Sequence, residues 1–128
     1  MMNGIGGRAD FTCNSYLSIF TCGSTPKNGT ISSILPFASH IDHTNHFVNA
    51  VITEYGVADL RHKSDMQKAQ ELIKGAHPDY RPMLQDYLDF AAKRGGHTHH
   101  VLSAAFAMHD TLQRKGDMRL TDWAEYIK

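Results

Sequence analysis

Three glycines open the chain in Asn3-Gly4-Ile5-Gly6-Gly7, offering backbone N–H groups with no side chain in the way. Such a loop can cradle a phosphate or hold a carbonyl oxygen as negative charge develops on it. The spacing is not that of a dinucleotide fingerprint, and no Gly-Lys-Ser/Thr follows to make a P-loop. On spacing alone the plainer reading is a chain terminus without a ligand. A second candidate is the stretch Thr21 to Gly29, where Ser24, Thr25 and Lys27 stand among glycines. Hydroxyls beside a lysine suit a phosphate or pyrophosphate, although a loop lysine is more often simply solvated.

Glu54 is the third. It closes an apolar run, Asn49-Ala50-Val51-Ile52-Thr53, and stands two residues before Gly56. Functional groups gather at the carboxyl ends of strands in α/β proteins, so Glu54 can orient a ligand or pair with a lysine such as Lys27. The plainer alternative is a strand-end carboxylate that bonds local backbone. His40, Asp42, His43 and His46 form the densest polar cluster, in the order His-x2-His-x2-His. Zinc accepts such donors, but residues three apart on a strand point to opposite faces. The reading adopted is therefore a hydrogen-bonded loop with no metal. A second group, His97-Thr98-His99-His100, is read as the surface cap of a helix, and Asp59 and Arg61 as an internal ion pair. No Gly-x-Ser-x-Gly elbow is present, and no nucleophile for self-contained catalysis stands out.

The elements that must position these residues divide along the chain. Ser15 to Phe20, Ile31 to Leu35 and Asn49 to Thr53 are short and rich in branched or aromatic residues, which predicts strands. After Gly56 the apolar spacing becomes helical. Ser64 is placed to cap a helix with Met66, Ala69, Ile73 and Ala76 on one face, ending near Gly75 and before His77-Pro78. Asp79 opens a second helix with the stripe Leu84, Tyr87, Leu88 and Ala91, stopped by Gly95-Gly96. Thr98 is placed to cap a third, carrying Val101, Ala105, Met108 and Leu112 and ending at Gly116. The segment from Asp117 onward, with the single Trp123, reads as a docking segment or short helix. The expectation is an α/β chain, β-rich over 1–60 and helical over 61–128. Three short strands are few for three covering helices, and a glycine loop usually leaves a strand. The chain thus reads as part of a larger domain.

Composition narrows the class. The 128 residues carry 13 Lys+Arg against 13 Asp+Glu, with 41% hydrophobic and 20% charged residues. That balance suits a globular domain and argues against a basic nucleic-acid binder or a disordered acidic segment. No apolar run approaches the roughly 20 residues that span a bilayer. The first residues form neither a signal nor a transit peptide, so the expected setting is cytoplasmic. Cys13 and Cys22 fit two free thiols in a reducing compartment.

Read in order, several blocks carry a resemblance. They are Asn-Gly-Ile-Gly-Gly at 3–7, Tyr-Leu-Ser-Ile-Phe at 16–20, Lys27, Ile-Ser-Ser-Ile at 31–34 and Ser-His-x-Asp-His-Thr-x-His at 39–46. Ile-Thr-Glu-x-Gly-Val-Ala-Asp-Leu-Arg at 52–61, Ala-His-Pro-Asp-Tyr-Arg at 76–81 and Gly-Gly-His-Thr-x-His at 95–100 follow. The run resembles the C-terminal part of the acetyl-CoA hydrolase/transferase family, class I coenzyme A-transferases that include succinyl-CoA:acetate and 4-hydroxybutyrate enzymes.

The resemblance implies an open α/β domain of the NagB/RpiA/CoA-transferase type. It implies transfer of CoA between an acyl-CoA and a small carboxylate, or hydrolysis, through a glutamyl-CoA thioester. Gly4, Gly6 and Gly7 would be the family's oxyanion loop, Lys27 a CoA-contacting lysine, and Glu54 a second carboxylate that organises the pocket. The nucleophilic glutamate would lie upstream of this chain, in a missing N-terminal portion. No permanently bound cofactor, metal, nucleic acid or membrane is implied, and the full-length enzyme would be a homo-oligomer. Tyr55 stands where the family commonly has Gln. The alternative is a non-catalytic remnant that binds CoA or another phosphate ligand.

Overall fold

The computed structural model describes residues 8–96 and 99–127. The glycine loop at 3–7 lies outside the described residues.

Among the described residues three strands form one mixed sheet: β1 (Ile19–Thr21), β2 (Ala50–Thr53) and β3 (Gly56–Asp59), in the order β1-β2-β3. β1 runs parallel to β2, with Ile19 opposite Ala50, and β3 returns antiparallel, with Thr53 opposite Gly56. Among the described residues four helices accompany the sheet: α1 (Arg8–Asn14), α2 (Asp65–Lys74), α3 (Arg81–Arg94) and α4 (Ala107–Lys115). The architecture is a small α/β one.

Local chemistry explains most boundaries. α2 begins where Ser64 and Gln67 exchange a capping box: the Gln67 N–H donates to the Ser64 hydroxyl and the Ser64 N–H to the Gln67 side chain. α3 carries Pro82 in its first turn, where the missing N–H costs nothing, and it buries Leu84, Tyr87, Leu88 and Ala91, the expected stripe. α4 stops at Gly116, whose φ of 79° is left-handed and open to glycine with little strain. The main core lies between α3, α4 and the chain after Gly116, around Tyr80, Leu84, Tyr87, Val101, Met108, Met118 and Trp123. The last segment docks as expected, in two short 3₁₀ turns. The Trp123 indole N–H donates to the Met83 carbonyl at 3.1 Å, and its ring packs on Tyr87.

Four expectations need correction. Residues 31–35 form no strand. The Ser32 hydroxyl donates to the Ile34 carbonyl and accepts from the Ile34 N–H, so local bonds occupy the groups a ladder would need. Ile31, Ile34 and Leu35 pack instead on the helical core. β1 is shorter than 15–20, because Ser18 gives its polar atoms to Asn49 and Phe47 before the ladder starts. Helix α1 and strand β3 were not anticipated, and β3 shows the expected alternation only weakly, with Val57 exposed and Ala58 buried. The last helix begins at Ala107 rather than after Thr98, which lies outside the described residues. The Val101 N–H is diverted to the Tyr87 hydroxyl, and a 3₁₀ turn at Leu102–Ala104 intervenes.

Candidate functional site

The sheet's one parallel pair sets the site. Because β1 and β2 run the same way, their carboxyl ends lie side by side, and the Cys22 N–H extends their ladder by donating to the Ile52 carbonyl at 3.0 Å. The chain leaving β1 therefore passes the chain leaving β2. Glu54 and Tyr55 form the two-residue turn between β2 and β3, with Gly56 at φ 138° taking up the bend. The Thr53 hydroxyl bolts this turn to the end of α2, donating to the Gly75 carbonyl at 2.7 Å.

Ser24, fully buried at 0% exposure, grips the Glu54 carboxylate. Its hydroxyl donates to Oε1 at 2.6 Å, and its N–H donates to Oε2 at 2.9 Å and to Oε1 at 3.2 Å. The Ser24 carbonyl in turn accepts the Ser33 N–H at 2.8 Å. The Ser24 hydroxyl holds the Glu54 carboxyl below the usual range for glutamate, helped by backbone N–H groups and, more weakly, by His77. Glu54 is thus an anion at neutral pH and a poor proton donor. The exposed Cys22 thiol is pushed up, first by partial burial and then by the Glu54 charge, so it stays protonated.

Beyond Ser24 the same loop carries Lys27. Lys27, Asn28 and Gly29 take φ of 50°, 55° and 85°, a run of left-handed residues that is costly for non-glycines and needs outside support. Two contacts supply it: the buried Tyr80 hydroxyl donates to the Gly29 carbonyl at 2.8 Å, and the Met118 N–H donates to the Thr30 carbonyl at 2.9 Å. Lys27 is exposed at the tip and makes no ion pair among the described residues. Of the alternatives open for Glu54, the pair with Lys27 is not formed among the described residues; its carboxylate is held by Ser24 instead. The structure brings Glu54 to the Lys27 loop through Ser24, and Gly4, Gly6 and Gly7 are outside the described residues.

Sequence reading missed the flank of the site. His77 packs edge-on to Tyr55, with ring centroids 5.6 Å apart, and the Arg81 guanidinium lies 5.2 Å from the Tyr55 ring. Arg81 is itself tied by Nε to the Ala76 carbonyl at 2.9 Å. The block Ala76–Arg81 was visible as a motif, but nothing in its spacing said which turn it would face.

The other candidates sort simply. His40 bonds Asp42 at 3.0 Å and His43 packs on Phe20; among the described residues no three His, Cys, Asp or Glu are grouped to hold a metal ion. His100 is a correction: it is half-buried against Tyr87 and Phe37 rather than capping a helix. Asp59 and Arg61 form the expected pair, with bonds of 3.0 and 2.8 Å. Among the described residues no helix is long and apolar enough to cross a membrane.

A glycine-opened chain with a fixed strand-end carboxylate can now be set beside known proteins. A family model of the acetyl-CoA hydrolase/transferase C-terminal domain matches residues 1–88. The chain belongs to the acetyl-CoA hydrolase/transferase family.

It is 50% identical over 121 residues to succinyl-CoA:acetate CoA-transferase of Clostridium kluyveri, covering 93% of this chain and 22% of that protein. Against propanoyl-CoA:succinate CoA transferase of Escherichia coli K12 the identity is 50% over 119 residues, covering 92% and 24%. The acetyl-CoA hydrolase of Candida glabrata is 47% identical over 133 residues, covering 96% and 25%. Among solved structures, 4-hydroxybutyrate CoA-transferase from Porphyromonas gingivalis superposes with a TM-score of 0.59 at 36% identity, over 72% of this chain and 24% of that one. The chain spans about a quarter of the length of the curated relatives it matches.

Proposed function

We propose that these residues are the C-terminal portion of a CoA-transferase or acetyl-CoA hydrolase of NagB/RpiA-like fold. It moves CoA between an acyl-CoA and a small carboxylate such as acetate, succinate, butyrate or 4-hydroxybutyrate. The observation that carries the reading is the Ser24–Glu54 clasp at the carboxyl ends of β1 and β2, inside the stretch that matches the family.

A glutamate upstream of this chain attacks the acyl-CoA carbonyl, forming a mixed anhydride and expelling the CoA thiolate. The thiolate attacks the glutamyl carbonyl, giving the glutamyl-CoA thioester and freeing the first carboxylate. The acceptor carboxylate attacks that thioester, again expelling thiolate, which takes the new acyl group from the second anhydride and restores the glutamate. In the hydrolase, water attacks instead. Each addition puts negative charge on a carbonyl oxygen, and the N–H groups of Gly4, Gly6 and Gly7 receive it; such donors contribute about 3 kcal/mol each. Lys27 holds a phosphate of CoA. Glu54 keeps the pocket's charge and geometry and is not the nucleophile, which lies upstream of this chain; Ser24 holds its carboxylate. The enzyme is cytoplasmic and a homo-oligomer, and the residues up to 128 alone are inactive.

The test compares the isolated chain with the same chain joined behind the upstream part of the C. kluyveri relative, assayed for CoA transfer from succinyl-CoA to labelled acetate. The joined protein is expected to be active and to carry a CoA adduct on an upstream glutamate by peptide mass. Transfer by the isolated chain, an adduct on Glu54, or a joined protein that melts cooperatively yet transfers nothing would overturn the reading.

A further inference from the structure

We infer that Ser24 is a positioning residue that locks the Glu54 carboxylate in one orientation and ties it to the loop carrying Lys27. This rests on Glu54 serving the reaction proposed above, but the physical lock is separable from it. Every polar atom of Ser24 is committed: hydroxyl and N–H to Glu54, carbonyl to the Ser33 N–H. The fully buried Ser24 is fixed in place, and a carboxylate it holds through both oxygens does not turn freely about its terminal bond. Glu54 itself is exposed and sits on a turn, where an unanchored side chain would sample many rotamers. The groups facing it are Cys22 from the chain after β1 and His77 from the chain after α2, and neither donates a hydrogen bond to it among the described residues. Lys27, three residues beyond Ser24, inherits its place from the same anchored loop.

The lock is tested first on the isolated chain by carboxyl-carbon NMR titration of Glu54. Ser24→Ala is expected to raise the Glu54 midpoint toward that of ordinary glutamate, with the amide donors retained. In the unmutated chain the Ser24 amide proton is expected to shift with the same midpoint, a measurement that needs no variant to fold. A Ser24 amide that ignores Glu54 ionisation, or an unmoved midpoint in Ser24→Ala, would overturn the inference. The second arm uses the joined protein. Ser24→Ala is expected to lower kcat/KM by about tenfold and move the acid limb of the pH profile upward, and to have no further effect in a Glu54→Gln background. Equal losses in both backgrounds would mean that Ser24 acts apart from Glu54. Failure of transfer with an intact NMR coupling rejects the proposed function alone, and the reverse pattern rejects the lock alone.

Discussion

Replacing Tyr80 by Phe separates one hydrogen bond from the packing around it. Tyr80 has 0% exposure and donates its hydroxyl to the Gly29 carbonyl, the far anchor of the Lys27 loop. Phenylalanine keeps the ring, so no cavity opens, and the loss is that of one neutral hydrogen bond, about 1 kcal/mol. For a chain of 128 residues this is about 4 °C in Tm. The pH dependence makes the argument refutable. Burial first, and then the Asp117 charge, push the Tyr80 phenol up to about 12 from its ordinary value of 10.0. A group raised in the folded state contributes stability that is complete below the unfolded pKa and is lost as pH rises through the folded one. From pH 8 to pH 11 the unmutated chain therefore loses about 1.4 kcal/mol that Tyr80→Phe does not. Urea unfolding followed by the fluorescence of the single Trp123 should show the variant less stable by about 1 kcal/mol at pH 8. The two should be nearly equal at pH 11, with the order reversed above it. A deficit that stays constant from pH 8 to 11 would refute the buried-donor account of Tyr80.

Further outcomes follow from the exposed features. Lys27→Ala should leave the unfolding midpoint within about 0.5 kcal/mol of the original, because the lysine has no ion-pair partner among the described residues. The same change should weaken CoA binding to the isolated chain roughly tenfold by calorimetry, and an unchanged Kd would remove Lys27 from the phosphate contact. Among the described residues β1 has a single strand neighbour, and Tyr16 just before it and Ile19 within it are 100% and 48% exposed, so the isolated chain should self-associate along that edge. Ile19→Lys should shift sedimentation toward monomer, and a monodisperse monomer before mutation would contradict the edge argument.

Much of the molecule was legible in the residues themselves wherever the governing interaction is local. The Ser64 cap, the Leu84-Tyr87-Leu88-Ala91 stripe, the Gly116 stop and the Asp59–Arg61 pair all rest on interactions within a few positions, and each stands as its spacing predicts. The ordered blocks from Asn3 to His100 likewise carried the family, since a run of motifs needs no coordinates to be matched. Long-range contacts were different. Ile31 to Leu35 has a strand's composition, yet whether it pairs depends on an available neighbour, and Ser32 and the helical core claimed it instead. Ser24 and Glu54 are 30 positions apart and meet only because β1 and β2 run parallel, which brings their carboxyl ends together. His77 and Arg81 reach Tyr55 only because the Thr53 hydroxyl holds the turn to the end of α2. The sequence named Glu54 and Lys27 as residues able to do chemistry; strand direction decided that a buried serine would hold the one and tether the other.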